Sequence, residues 1–284
     1  MKKILKQCLW AFAVIFFIGS CQKMDRPKLG DYPKDANAPG GPLKFYVAFD
    51  GTSADPLRNA VDSIRANFAS TNPFTSITGI AGKGAQGVDM KAIKYASAND
   101  FAGAQSFTIS LWEKNTVPGG GNPQFIFSLP STDYWHNSGI FLMMDHDGAG
   151  STSSQAVVKL AVQDHWFEFT GANRLGGNLL NNQWHHLAFV YDQTTSKLAT
   201  YVDGALVTGL PANLTTWMDG ANPHGPVVLR NVSNFILGGW NKHAGVNGPT
   251  DSWIQSWQGG LDQFRLYGKA LTASEVLALY NSKL

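Results

Sequence analysis

Three glutamates, Glu113, Glu168 and Glu275, and a scatter of aspartates are the carboxylates from which this chain could build acid–base chemistry. Cutting a glycosidic bond takes two carboxyl groups, one protonated and one acting as nucleophile or base. On a strand, two such groups converge when they stand two residues apart, because side chains alternate between faces. None of the three glutamates has an acidic residue at that spacing. Asp145-His-Asp147-Gly is the nearest carboxylate pair, and it also reads as an Asp-Gly turn between strands. The adjacent His185 and His186 cannot chelate one ion from a strand, since neighbours point apart. No H-x-H, HExxH or phosphate-loop pattern occurs.

The nine tryptophans are more suggestive than the carboxylates. Trp112 and Trp184 fall in strand-like runs and read as core. Tyr134-Trp135-His136-Asn137, Asp164-His165-Trp166, Trp217, Trp240-Asn-Lys-His243 and Trp253-Ile-Gln-Ser-Trp257 fall in segments that read as loops. An indole beside amide, imidazole or carboxylate groups suits a sugar ring. The ring's apolar face stacks and its hydroxyls find polar partners. Trp135, His136, Trp166, Trp240 and Trp253 are therefore the candidate ligand-binding residues, and no catalytic residue is assigned. The competing reading is that these indoles close over the ends of the core.

The elements that would hold these residues are short and mostly extended. Runs such as SFTISLW (106–112), GIFLMMD (139–145), AVVKLAV (156–162), WHHLAFVYD (184–192) and LDQFRLY (261–267) are separated by turns, with 30 glycines in the chain. That spacing predicts an all-β, two-sheet antiparallel sandwich. Asp203-Gly204 is a tight hairpin turn. Two short helices are expected. One begins at Asp55-Pro56 and puts Leu57, Ala60, Val61, Ile64 and Phe68 on one face. The other begins at the capping box Thr272-Ala-Ser-Glu275.

Both cysteines, Cys8 and Cys21, precede this region, so disulfides and thiol chemistry are excluded from the domain itself. Lys2, Lys3 and Lys6 open a basic stretch. CLWAFAVIFFI (8–18) is apolar and short for a bilayer span, and Ile18-Gly-Ser-Cys21 follows. Residues 1–21 thus read as a signal peptide resembling that of bacterial lipoproteins, with Cys21 as the lipidation site. Residues 22–42 read as a flexible tether and 43–284 as the domain. The resemblance implies a cell-envelope protein anchored to a membrane, with the outer membrane expected. The formal charge of +2 owes three positives to the leader, so the remainder has no basic surplus and a nucleic-acid partner is not expected.

Four segments, in order, resemble the laminin-G-like branch of the concanavalin A-like lectin/glucanase superfamily: 107–112, 183–192, 198–204 and 259–275. The resemblance implies a two-sheet jelly roll. It further implies that Asp50 and Asp262 can meet at one edge and bind structural Ca²⁺ with backbone oxygens. The alternative there is that Asp50 opens a turn and Asp262 accepts backbone N–H bonds. The apparent helix over 55–68 departs from the family pattern. Together these readings point to a surface-anchored, non-catalytic, carbohydrate-binding protein. A glycoside hydrolase or lyase with an unrecognised site, or a protein-binding envelope module, are the alternatives.

The leader generates the first prediction. Cys21→Ser should free the protein from membranes or leave an unprocessed precursor, and should abolish metabolic labelling by a palmitate analogue. Label persisting on the Ser variant contradicts the assignment.

Overall fold

The structure is a computed structural model that describes residues 41–50, 60–61, 66–67 and 74–283. Cys21, the leader and most of the tether lie outside the described residues. The strands, in chain order, are β1 (Leu43–Val47), β2 (Ala66–Asn67), β3 (Thr75–Thr78), β4 (Lys83–Gln86), β5 (Ile93–Tyr95), β6 (Phe107–Lys114), β7 (Gln124–Pro130), β8 (Ser138–Met144) and β9 (Val158–Val162). They continue as β10 (His165–Phe169), β11 (His185–Asp192), β12 (Lys197–Val202), β13 (Ala205–Leu206), β14 (Met218–Asp219), β15 (Asn222–Pro223), β16 (Phe235–Leu237), β17 (Gln255–Ser256) and β18 (Gly260–Tyr267). The α-helices are α1 (Ala212–Thr215) and α2 (Ala273–Ser282).

Two eight-stranded sheets form the sandwich. The first runs β13-β12-β11-β6-β18-β4-β3, with β1 also on β18. The second runs β10-β9-β8-β7-β16-β5-β2, with β17 also on β7. All pairs are antiparallel except β17 with β7. Alternation explains the layers. In β8, Ile140, Leu142 and Met144 enter the core between the sheets while Phe141 and Met143 face outward. In β11, Leu187, Phe189 and Tyr191 point in while Ala188 and Val190 point out, where Val276 of α2 covers them. The jelly-roll sandwich expected from the sequence is the fold observed.

The local turn chemistry also matches. Asp203 and Gly204 adopt φ of 50° and 76°, as a two-residue hairpin turn demands. The Thr272 hydroxyl accepts the Glu275 N–H at 3.2 Å, and a Glu275 carboxylate oxygen accepts the Thr272 N–H at 2.7 Å. The helix expected at 55–68 is different. Most of it lies outside the described residues, and the described ones are not helical. Ala60 and Val61 form a turn packed on Leu43 and Tyr46, and Ala66–Asn67 pair with β5. The short α1 had no sequence signal.

Glu113 of β6 is an anomaly within this core. It is 0% exposed, opposite His185 and Leu261, and neither carboxyl oxygen has a hydrogen-bond partner. Burial, and secondarily the Asp203 charge, push its pKa well above the ordinary 4.5. The unfolded chain loses this proton first, so folding stability falls as pH rises from 4.5 towards the raised folded value. Buried His186, lowered to about 4 mainly by desolvation, gives the opposite slope in any variant that retains it. The melting temperature of wild type should therefore fall relative to Glu113→Gln as pH rises above about 5. Parallel pH profiles for the two proteins would contradict this.

Candidate functional site

The outer face of the second sheet is built from two cross-strand rows. Trp166 of β10 pairs with Ala161 of β9, which pairs with Phe141 of β8. Glu168, Lys159 and Met143 form the next row. Phe167 and Phe169 take the intervening inward positions on β10 and anchor the strand in the core. Ala161 is small, so Trp166 meets Phe141 across it, ring centroids 5.0 Å apart at 78°. Aromatic pairs prefer this edge-to-face geometry.

Loop residues 240–254 cover the remainder of the face. Trp240 stacks on Phe125 at 4.5 Å and 22°, and its indole N–H donates to the Ser138 hydroxyl. Trp253 is half-buried and packs on both Phe125 and Trp240. What stays uncovered is a groove of about 530 Å³. Met143, Trp166 and Trp253 are among its apolar lining residues. Asp145, His146, Lys159 and Glu168 supply its polar groups.

Those polar groups form one connected set. The Lys159 ammonium lies 3.0 Å from an Asp145 carboxylate oxygen and 3.6 Å from a Glu168 oxygen. His146 sits 3.5 Å from Asp145 through Nε2 and 3.5 Å from Asp147 through Nδ1. Two carboxylates thus converge in an aromatic groove, which the sequence had not revealed. A cleaving pair needs one member that keeps a proton in an apolar setting. Here an ammonium contacts both, which suits binding better than proton transfer.

The candidate tryptophans separate clearly. Trp135 is 45% exposed and meets Trp166 edge-on at 5.4 Å. Trp166 and Trp253 are half-buried at the groove. Trp240 does not present a face to a ligand: it is 1% exposed and supports the other rings from beneath. The His136 side chain lies outside what is described. Trp217 and Trp257 belong to the main core. Lys159 was missed altogether, though a lysine inside AVVKLAV marks an outward position. Glu168 and Asp145 were weighed for catalysis alone. His185 and His186 reach different partners. His185 bonds Asp203 and Asn181, and His186 bonds Ser110.

Asp50 and Asp262 both bond the β3–β4 turn of the first sheet. Asp50 accepts the Lys83 N–H at 2.7 Å, and Asp262 accepts the Ile80 N–H at 2.8 Å. A Cβ on Gly82 would fall 2.1 Å from the Asp50 carboxylate, and one on Gly79 would fall 2.4 Å from that of Asp262. The turn therefore presses against both groups, and Gly82 has φ +60°. Asp262 Oδ1 is buried without a partner. Burial first, and Asp50 among the lesser causes, raise the Asp262 pKa to about 8. An orphaned oxygen beside a second carboxylate fits a hard cation. Among the described residues no three His, Cys, Asp or Glu side chains gather to hold a metal. Backbone oxygens would have to complete the shell.

The family model for the concanavalin A-like lectin/glucanases superfamily matches residues 89–277, well over half of the chain. A human protein, neuronal pentraxin receptor, is 24% identical over 178 residues, which are 62% of this chain and 29% of that protein. Among solved structures, domain 4 of a GH43 extracellular arabinanase from Geobacillus stearothermophilus, in complex with arabinotriose, matches at TM-score 0.53. It is 16% identical, covering 84% of this chain and 98% of that one. Trypanosoma rangeli sialidase matches at 0.52 and 16% identity, over 85% and 33%. The binding domain of Paraclostridial Mosquitocidal Protein 1 matches at 0.51 and 16% identity, over 84% and 52%. At these identities the structures show a shared fold.

The division among the tryptophans is directly measurable. Trp240→Ala should cost about 3–5 kcal/mol in denaturant unfolding, as a large buried side chain does. Trp135→Ala should cost under about 1 kcal/mol. Equal costs would mean that the indole layer is a single core.

Proposed function

The chain belongs to the concanavalin A-like lectin/glucanase superfamily, and from that premise we propose that it is a non-catalytic glycan-binding protein tethered to the cell envelope by a lipid on Cys21. One observation carries the binding half of this reading. Trp166 and Trp253 face a common groove whose polar groups are held ready by mutual ion pairs. Sugar rings stack on indole faces, and carboxylate, ammonium and imidazole groups bond their hydroxyls. The arabinotriose complex of the arabinanase domain offers a precedent on the same fold. The anchoring half rests on the leader sequence alone. Two or more acyl chains on one cysteine give stable membrane attachment.

Calcium, in this reading, is structural. Asp50 and Asp262 would hold it, and it would take the place of the proton that burial favours on Asp262. The second functional reading, a glycoside hydrolase, draws on the convergence of Asp145 and Glu168, and the lysine between them weighs against it.

Two experiments test these statements. On a glycan array the chain should bind at least one polysaccharide and release no soluble oligosaccharide from it. Trp166→Ala should lose at least about tenfold in affinity, the equivalent of about 1.4 kcal/mol of lost stacking and contact. Loss of binding only together with loss of folding would turn the indole into a core residue. Calcium should raise the melting temperature of wild type, because it binds the folded state alone, and should not raise that of Asp50→Asn. No shift over a wide calcium range contradicts a calcium site.

A further inference from the structure

Glu168 is the least compensated charge in the groove. The Lys159 ammonium leans towards Asp145 at 3.0 Å and stands 3.6 Å from Glu168, beyond hydrogen-bond distance. Asp145 is 7% exposed at its side chain, whereas Glu168 is 50% exposed. Lys159 is the one ammonium among the groove's lining residues, set against the two carboxylates of Asp145 and Glu168. Asp147 adds a third carboxylate behind His146. The groove therefore carries an acidic surplus at the lip beside its aromatic wall.

Position strengthens the point. Trp166 and Glu168 are two residues apart on β10 and share its outer face, so they stand about 7 Å apart along the strand. A pyranose ring stacked on Trp166 therefore brings a substituent on its edge within reach of the Glu168 carboxylate. A hydroxyl there makes an ordinary hydrogen bond. An ammonium makes a charge-assisted one and also neutralises the surplus. The indole face next to it favours a cation as well. An anionic sugar meets repulsion at the same place.

Resting on the glycan-binding reading above, we propose that this groove selects glycans bearing free amines, with the sugar ring on Trp166 and its ammonium on Glu168. The selection is electrostatic and local, so it adds to stacking and does not replace it.

Three oligosaccharides of equal length that differ only at C2 provide the test. They are β-1,4-linked glucose, N-acetylglucosamine and glucosamine, titrated calorimetrically into the full chain at a pH where the amine is charged. The amine form should bind about tenfold tighter than the hydroxyl form, the worth of one hydrogen bond to a charged group. The ratio should shrink as salt is raised. In Glu168→Gln the ratio of amine to hydroxyl affinities should fall to near one. Equal binding of all three oligosaccharides, or a preference that survives Glu168→Gln, overturns the amine selection while leaving glycan binding intact. Failure of these three with capture of a neutral glycan of another linkage, lost in Trp166→Ala, does the same. Absence of binding to any glycan overturns both readings together.

Discussion

The second sheet carries apolar side chains on both of its faces, and the rest of the molecule answers to that. Its inner face is satisfied by the first sheet, through Ile140, Leu142, Val158, Leu160, Phe167 and their partners. Its outer face holds Phe125, Phe141, Met143 and Ala161, too much contiguous apolar surface for a folded protein to leave in water. The chain covers it with Trp240 and Ile254, buried to 1% and 0% exposure. The cover stops short of β9 and β10. There the sequence switches to Lys159, Trp166 and Glu168, residues that tolerate a wet boundary. The groove is the line along which the covering loop ends.

A second constraint acts in the first sheet. Strand β18 must put Leu261, Phe264 and Leu266 into one core, a spacing that strict alternation forbids. A bulge between Asp262 and Arg265 resolves it, with Gln263 at φ 45° absorbing the extra residue. The reset leaves Arg265 outward, its guanidinium 4.1 Å over the Tyr46 ring. It also aims Asp262 at the β3–β4 turn, where its carboxylate meets the Ile80 N–H. The placement of Asp262 against that turn is thus a by-product of restoring strand parity.

These two cases show which features could be read from the sequence. Runs such as WHHLAFVYD reveal a strand because period-two alternation is local, and Thr272-Ala-Ser-Glu275 reveals a cap because both partners lie within one turn. The fold followed from such signals. The site did not, because exposure of a tryptophan is decided far away along the chain. Trp135 and Trp240 both sit beside asparagine or histidine in apparent loops. Trp240 is buried because Phe125 and Ser138, more than a hundred residues earlier, receive it. Trp135 meets Trp166 edge-on and is left 45% exposed. Likewise the helical pattern at 55–68 is real as a pattern. At its end, Ala66–Asn67 pair with β5, a tertiary contact that no local pattern announces.

A groove on the face of a sheet binds differently from one made of loops. Trp166 is fixed by Phe141 across Ala161, and its strand is anchored by Phe167 and Phe169 in the core. Lys159 is fixed by Asp145, one residue past the end of the neighbouring strand. These groups surrender little freedom when a ligand arrives, so little of the stacking and hydrogen-bond energy is lost to ordering. Openness works the other way, since water competes for every polar contact and leaves a single site weak. A rigid, shallow groove is suited to holding a long chain at many points without closing around any one of them. A tether that gathers many copies at one membrane would convert weak sites into firm attachment, because later contacts form at high effective concentration. Cleavage needs the opposite arrangement, an enclosed carboxyl that keeps its proton, and the placement of Lys159 between Asp145 and Glu168 works against it.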